Sequence, residues 1–336
     1  FLSCTSVVFY LLLIRMLKSS YAGKLCALTG ALLFAFSKTL WAQAVTAEVY
    51  ALNTFFGAII FYILFLWWEK KSKAYLFILA LILGIGIANH HTAILLIVIC
   101  FVVISVKVFQ KFVFEKSQLK SVVLWTGLFF IGLTCYFYLP IRSLANPSMD
   151  WNNPETLQNI LNHILRRQYG KLSAHGYSLD RFIKQISLFI KFLLNEYFAG
   201  FILLPILGII GFYKKNKSGF FITLFAFLFS SIGLILLLNI TVVKRYFSLN
   251  TVYFTFPYML FAIFLSWGLF FILKYTKRYK IIVVCLIILL IPVTIVRNYK
   301  FNDTSRNFIA YDYAKNILLT AKGDNKLFLT GDNESF

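Results

Sequence analysis

Charge is scarce in this 336-residue chain: Asp, Glu, Lys and Arg make up 13% of it, where a soluble domain averages about 25%. Acids are scarcer still, 12 against 33 basic residues. With 60% hydrophobic residues and a mean hydropathy of +0.80, a soluble globular domain is excluded. The five cysteines, Cys4, Cys26, Cys100, Cys135 and Cys285, all fall in apolar runs with no CxxC and no nearby His. That excludes a dithiol or zinc motif and leaves them as small core residues. There is no Walker A loop, dinucleotide fingerprint or nucleophile elbow, no internal repeat and no initiator Met. Phe1 already lies in an apolar run without a basic leader, so the start is not a signal peptide. The sequence reads as a segment open at both ends.

What is present is a succession of long apolar runs. A bilayer core of ~30 Å needs about 20 such residues per helix. Ten runs qualify, at roughly 1–17, 22–40, 49–68, 74–90, 92–109, 121–141, 197–213, 219–240, 250–273 and 281–296. Basic residues follow alternate runs: Arg15, Lys18 and Lys24; Lys70, Lys71 and Lys73; Lys107, Lys111, Lys116 and Lys120; Lys214, Lys215 and Lys217; Lys274, Lys277, Arg278 and Lys280. The positive-inside rule makes these loops cytoplasmic. This also accounts for the net charge of +21 without nucleic acid as a partner. Glu48, Asn89-His90-His91, the stretch from Arg142 to about Glu196, Lys244-Arg245 and the tail after Arg297 then share the extracytoplasmic side.

The stretch from Arg142 to Gly170 is the polar exception in an apolar chain. Asn153-Pro154-Glu155 reads as a helix start. Leu157, Ile160, Leu161, Ile164 and Leu165 then line one helical face and His163, Arg166 and Arg167 another. Such a helix lies along a membrane surface. Two guanidiniums and an imidazole suit a phosphate or diphosphate; the alternative is arginines that touch only lipid headgroups. His90 and His91 sit at the tip of a helical hairpin. Adjacent His residues diverge on a helix and no third ligand stands nearby, so they are poor joint metal ligands; they read as an interfacial pair or a substrate contact. Gly84, Gly86 and Ala88 before them permit close helix packing. Glu48 and Asp150 are the carboxylates on this side, with a sugar able to stack on Trp151, while Trp41 and Tyr50 look like belt aromatics. The tail reads as a helix (YDYAKNILL) and a strand (KLFLT), the opening of a small soluble α/β part.

Three stretches, LWAQAVTAEVYALNTFF, GIANHHTAILL and YLPIRSLANPSMDWNNPETLQNILNHILRRQYG, resemble in order and spacing the bacterial multi-pass family catalogued as domain of unknown function 2723. Its eukaryotic relatives are protein O-mannosyltransferases of the transmembrane protein 260 type. The resemblance is good over roughly residues 1–170. It implies a GT-C type glycosyltransferase: a helical bundle whose site opens on the extracytoplasmic face and takes a polyprenyl-phosphate sugar. Family members carry Asp-Ser-Gly-Glu and His-Pro-Pro-Gly-Tyr-Pro motifs in an external loop that would precede Phe1. Neither is present here, so the catalytic residue is expected upstream and this segment alone is expected to be inactive, with Glu48 and Asp150 as possible contributors. The matches that carry over are Glu48, Asn89, His90, His91, Arg142, Trp151, Arg166, Arg167, Gln168 and Tyr169. Relatives show an Arg-Asp pair near Lys244-Arg245-Tyr246-Phe247, and this sequence has no Asp there.

The expectation is therefore an all-α integral membrane protein, a GT-C-like bundle of about ten spans with an interfacial helix in its external loop and the start of an α/β C-terminal part. Its expected divisions are residues 1–141 (six spans), 142–196 (external loop), 197–296 (four spans) and 297–336 (soluble part). The expected function is inverting transfer of a sugar such as mannose from polyprenyl phosphate to a protein Ser/Thr or glycan; the alternative is a transporter or flippase of a lipid-linked saccharide. Arg142, His163, Arg166 and Arg167 would bind the donor phosphate. Asn89, His90, His91, Trp151, Gln168 and Tyr169 would position donor or acceptor. No cofactor or metal is implied; the expected partners are membrane lipid, the polyprenyl-phosphate sugar and the acceptor. The expected location is a bacterial cytoplasmic membrane, or the endoplasmic reticulum in a eukaryote.

Overall fold

A computed structural model describes residues 1–109, 117–147, 150–165, 167, 178–197, 202–239, 242–243, 249–276 and 278–320. Among the described residues there are helices and turns but no strand. In chain order the helices are α1 (Leu2–Leu17), α2 (Tyr21–Ala35), α3 (Lys38–Ala44), α4 (Tyr50–Lys70), α5 (Lys73–Asn89), α6 (Ile94–Phe109), α7 (Ser117–Leu133), α8 (Tyr138–Ser143), α9 (Leu157–Ile164), α10 (Leu179–Glu196), α11 (Leu203–Lys215), α12 (Lys217–Leu238), α13 (Thr255–Tyr275), α14 (Lys280–Asn302) and α15 (Ile309–Thr320).

Helix ends follow local chemistry. Ser20 and Asn216 accept from the first-turn amides of Gly23 (3.1 Å) and Gly219 (2.9 Å), supplying partners that the first turn lacks. Lys71 and Asn239 close α4 and α12 in the left-handed region, at φ 56° and 39°.

Five helical stretches are long and apolar enough to cross a membrane: 50–70, 120–143, 217–238, 250–275 and 280–302. They become six if α2 and α3, bent by 66°, form one broken span. The expected count of about ten is corrected accordingly. The runs at 1–17, 22–40, 74–90 and 92–109 fold as helices of 16, 15, 17 and 16 residues, roughly 23–26 Å long at 1.5 Å per residue. The seventh run yields a helix of 13 residues. Hydropathy counts apolar residues without seeing where a turn interrupts them. The expected terminal strand lies outside the described residues; the helix before it is α15.

α13 is the centre of the bundle. Of an 18-residue apolar window within 250–275, 78% is buried, against 6% for such a window in 120–143 and 17% in 280–302. It packs on α11, α2 and α12. Lipid tails are as apolar as the side chains, so this packing rests on close van der Waals contact. Gly208 and Gly268 let α11 and α13 touch backbone to backbone; a Cβ on either would collide with a carbonyl, of Phe264 or Leu204. Gly84 and Gly132 do the same for α5 and α7, where a Cβ would strike the carbonyls of Phe129 and Leu81. This bears out the reading of Gly84 as a packing residue, whereas Gly86 has ordinary clearance. The cysteines divide: Cys26 and Cys100 are core residues, but Cys4, Cys135 and Cys285 are exposed on the outside of the bundle. In an apolar solvent a small thiol gains little from being buried.

Candidate functional site

Polar contacts gather at two ends. At one, Arg15 pairs with Glu69 at 2.6 Å, Lys107 lies over Trp68 at 4.3 Å, and Lys73 donates to Ser121 at 3.3 Å. These are residues assigned by charge bias to one face, and the fold does bring them together.

The other end is built around His90. α5 stops at Asn89 and His90 is extended, at φ −155°. A 3-10 turn, His91–Ala93, then leads into α6. This is the hairpin tip expected from the sequence. His90 is buried, at 8% exposure. Its Nδ1 accepts from the Thr92 amide (3.3 Å) and lies 2.8 Å from the Thr92 hydroxyl. An imidazole nitrogen that accepts from an amide carries no proton, so the ring's hydrogen is on Nε2. Asn53 Nδ2 donates to the same Thr92 hydroxyl (3.1 Å), which completes a relay from Asn53 through Thr92 to His90. The His90 ring packs edge-on against Tyr50 (5.4 Å) and tilted against Tyr253 (5.8 Å). The two tyrosine hydroxyls are 3.2 Å apart. Beneath them the Thr54 and Thr255 hydroxyls bond at 2.8 Å.

His91 diverges from His90, as adjacent positions should. Its Nε2 is 2.5 Å from the Ile164 carbonyl at the end of α9. The hairpin tip therefore touches the end of the helix that carries His163; the helix stops short of Arg166 and Arg167, which were expected on the same face. α9 starts later than expected: Thr156, not Asn153, caps it, accepting from the Asn159 amide at 3.2 Å. Asn152 and Asn153 are left-handed, at φ 63° and 41°. Asn153 instead accepts Asn159 Nδ2 through its carbonyl, at 2.8 Å. Leu157, Leu161 and Leu165 are exposed along one side of α9, with Ile160 and Ile164 half-buried.

The other candidates scatter around this centre. Asn89 donates weakly to the Val49 carbonyl (3.5 Å), beside Glu48, which is exposed on the bend before α4. Asp150 accepts from the Ser143 hydroxyl at 2.6 Å, and this ties the loop back to α8. Arg142 and Trp151 are exposed and His163 is half-buried. Arg167 is exposed and donates to Asn162 Oδ1 at 3.2 Å. Arg166, Gln168, Tyr169 and the Lys244–Phe247 segment lie outside the described residues. Among the described residues, no three His, Cys, Asp or Glu side chains converge as a metal site would require.

Two features escaped the sequence reading. Tyr50, read as a belt aromatic, is a half-buried wall of the His90 cluster; Trp41, also half-buried, packs on Phe36 (5.3 Å) and Tyr299 (6.2 Å). The spacing of Tyr50, Asn53 and Thr54 on α4 could have signalled a shared face, but nothing local points to Tyr253. The second feature is Glu196, at the end of α10 and 3% exposed. Its two oxygens accept from the Thr39 amide and hydroxyl, both at 2.6 Å. Burial pushes its carboxyl above the usual range, against the opposing pull of the Thr39 bonds and the Lys38 ammonium. Around it Asn298 donates to the Phe36 carbonyl (2.8 Å) and Arg297 to the Asn195 carbonyl (2.8 Å). Together these contacts clamp the bend between α2 and α3.

The fold and its sidedness define a class: an integral membrane protein, all-helical among the described residues, with a hydrogen-bonded polar end built around His90 and a lysine-rich end opposite. Within that class the chain is related to protein O-mannosyl-transferases of the TMEM260 type. Residues 2–113 match the family model described as the protein O-mannosyl-transferase TMEM260 N-terminal domain. The chain is 26% identical to the protein O-mannosyl-transferase tmem260 of Dictyostelium discoideum over 91% of its own length and 42% of the relative's. It is 30% identical to the TMEM260 protein of Mus musculus over 50% of its length and 24% of the relative's. The chain thus spans less than half the length of these curated relatives. The match to the amoebal protein covers more of the chain than residues 1–170, over which the resemblance is good. No solved structure matches it.

Proposed function

We propose that the protein, in its full length, is a GT-C type membrane glycosyltransferase that moves mannose from a polyprenyl-phosphate donor to Ser or Thr of a protein acceptor. Transfer takes place with inversion, on the extracytoplasmic face. The relatives' names supply the sugar and the acceptor class. The observation that carries the reading is the contact of His91 with Ile164, which joins the hairpin tip to the end of the helix bearing His163, just before the Arg166-Arg167 pair in the sequence.

The leaving group is a lipid phosphate, and charge builds on it as the glycosidic bond breaks. Arg142, Arg166, Arg167 and His163 stabilise that charge, most strongly where water is excluded. Asn89, His90, His91, Trp151, Gln168 and Tyr169 position donor and acceptor, and the Asn53–Thr92 relay holds the His90 ring in one tautomer. Tyr50 and Tyr253 join this positioning group. A carboxylate accepts the acceptor hydroxyl's proton. Glu48 is the exposed carboxylate beside the cluster, while Asp150 is engaged by Ser143.

In the full-length protein, Arg167→Ala should lower transfer from polyprenyl-phosphate mannose by about a hundredfold and change stability by less than about 0.5 kcal/mol, as expected for an exposed side chain. Unchanged turnover removes the phosphate role. Saccharide movement across proteoliposomes without glycosyl transfer would replace the enzyme with a transporter.

A further inference from the structure

At the basic end of the bundle, away from the histidines, the last turns of α11 and α13 lie side by side. Lys214, Lys215 and Lys274 line a cleft between them together with Trp267, Phe271 and Tyr275. The charged neighbours of the Lys274 ammonium are Lys215 and Lys18, like charges all. Among the described residues no acid pairs with any of these lysines, although Glu69 on the same end is already bonded to Arg15. Lysines at a helix C-terminus are favourable singly, but bringing several together without a counter-charge costs energy that an anion would recover.

The floor of the cleft is as distinctive as its rim. Gly211 leaves room for the Phe271 ring, whose Cδ2 would stand 2.9 Å from a Cβ at that position. Trp267 stacks on Phe212 at 4.7 Å and 12°. Tyr275 contacts the Phe271 ring at 4.6 Å and lies under the Lys274 ammonium at 5.5 Å. A free anion would need the lysines alone. A basic rim over an aromatic slot suits a ligand with both a phosphate and a hydrocarbon chain.

The geometry points to an anionic phospholipid bound at this cleft, its phosphate among Lys214, Lys215 and Lys274 and its acyl chain along Phe271 and Tyr275. α13 links the two ends: Thr255 at its start and Tyr253 in the 3-10 turn just before it belong to the His90 cluster, and Lys274 lies in its last turn. Its 21 residues span about 31 Å, so the lipid site lies a bilayer's thickness from the proposed transfer site. It does not depend on that reading.

The test uses the full-length protein in zwitterionic detergent micelles, titrated with a fluorescent phosphatidylglycerol and, separately, a fluorescent phosphatidylcholine. Phosphatidylglycerol should bind saturably and at least tenfold more tightly. Lys215→Gln with Lys274→Gln should weaken it roughly tenfold or more. Lys215→Arg with Lys274→Arg should retain it, and Lys70→Gln with Lys71→Gln, on the same face, should not matter. Equal binding of the two lipids overturns the proposal. So does equal loss from the Lys70/Lys71 variant, which would indicate diffuse surface charge, or displacement of the lipid by millimolar inorganic phosphate, which would indicate a free-anion site.

Discussion

The exposed stretch around Arg142–Arg167 and the buried polar nodes at His90 and Glu196 occupy the same end of the bundle, yet they are built on opposite lines. The first is rich in full charges and its bonds are mostly local: Arg142 is exposed, Asp150 accepts from Ser143, and Arg167 donates to Asn162. The second uses mostly neutral groups in short bonds between residues far apart in the chain: Glu196 with Thr39, Tyr50 with Tyr253, Thr54 with Thr255. Charged side chains are cheap where water or headgroups reach them, whereas a buried polar group must find a partner. The charged stretch therefore stands exposed, and the buried nodes tie distant helices into a frame.

This contrast can be broken most severely at Glu196. Glu196→Ala leaves the buried Thr39 amide unpaired and should cost about 2–3 kcal/mol, read as a lower melting temperature in detergent. A loss below about 0.5 kcal/mol, the scale of a surface substitution, would show that the node is not part of the frame. Glu196→Gln tests the charge separately. The folded protein holds this proton above its ordinary pKa of 4.5. The wild type therefore keeps its full contribution below that value and loses it as pH rises through the raised one. The Gln variant, always neutral, should gain in melting temperature relative to wild type as pH rises across that window. A parallel course would contradict the sign.

A smaller effect is expected from the helix contact that carries the hairpin tip. Gly84→Val forces α5 away from the Phe129 carbonyl and should cost about 1–3 kcal/mol. Because Tyr136 reaches from just beyond α7 to the Ile87 carbonyl at 3.1 Å, the change should also displace the tip, seen as faster labelling of a cysteine placed at Asn89. Unaltered labelling would uncouple the tip from the α5–α7 contact. Smallest is Tyr50→Phe, which removes one hydroxyl contact of 3.2 Å and should cost about 0.5–1.5 kcal/mol. A stabilisation by Phe would show that the two hydroxyls are not bonded.

Much of the site was legible because its signals are local. The hairpin tip at Asn89–Thr92 shows as two apolar runs separated by polar residues; His90 and His91 diverge as expected, although the cause is the extended His90 between α5 and the 3-10 turn and not helix geometry. The one-sidedness of α9 shows as leucines and isoleucines at helical spacing, although its start was placed three residues early. Asn-Pro-Glu looks like a helix cap, but Asn152 and Asn153 take left-handed turns that leave the capping to Thr156. The role of Glu196 was not legible. It lies 157 positions from Thr39, and in sequence it is one more acid at the end of an amphipathic helix. The span count failed for a related reason: apolar composition does not distinguish a helix that crosses a bilayer from a shorter one that packs inside a bundle.

The sequence by itself determined that this is a helical membrane protein, which loops carry the polar groups, and that His90 and His91 stand at a hairpin tip. Hydropathy, charge bias and helical period act over a few residues or a single span, so one chain suffices to read them. Only the tertiary structure decided which helix is central, that α2 and α3 are bent and clamped by Glu196, and that Tyr253 closes on His90 from across the bundle. Those choices depend on which glycines let backbones meet and on which buried polar groups find partners, and both are settled between residues that no local pattern connects.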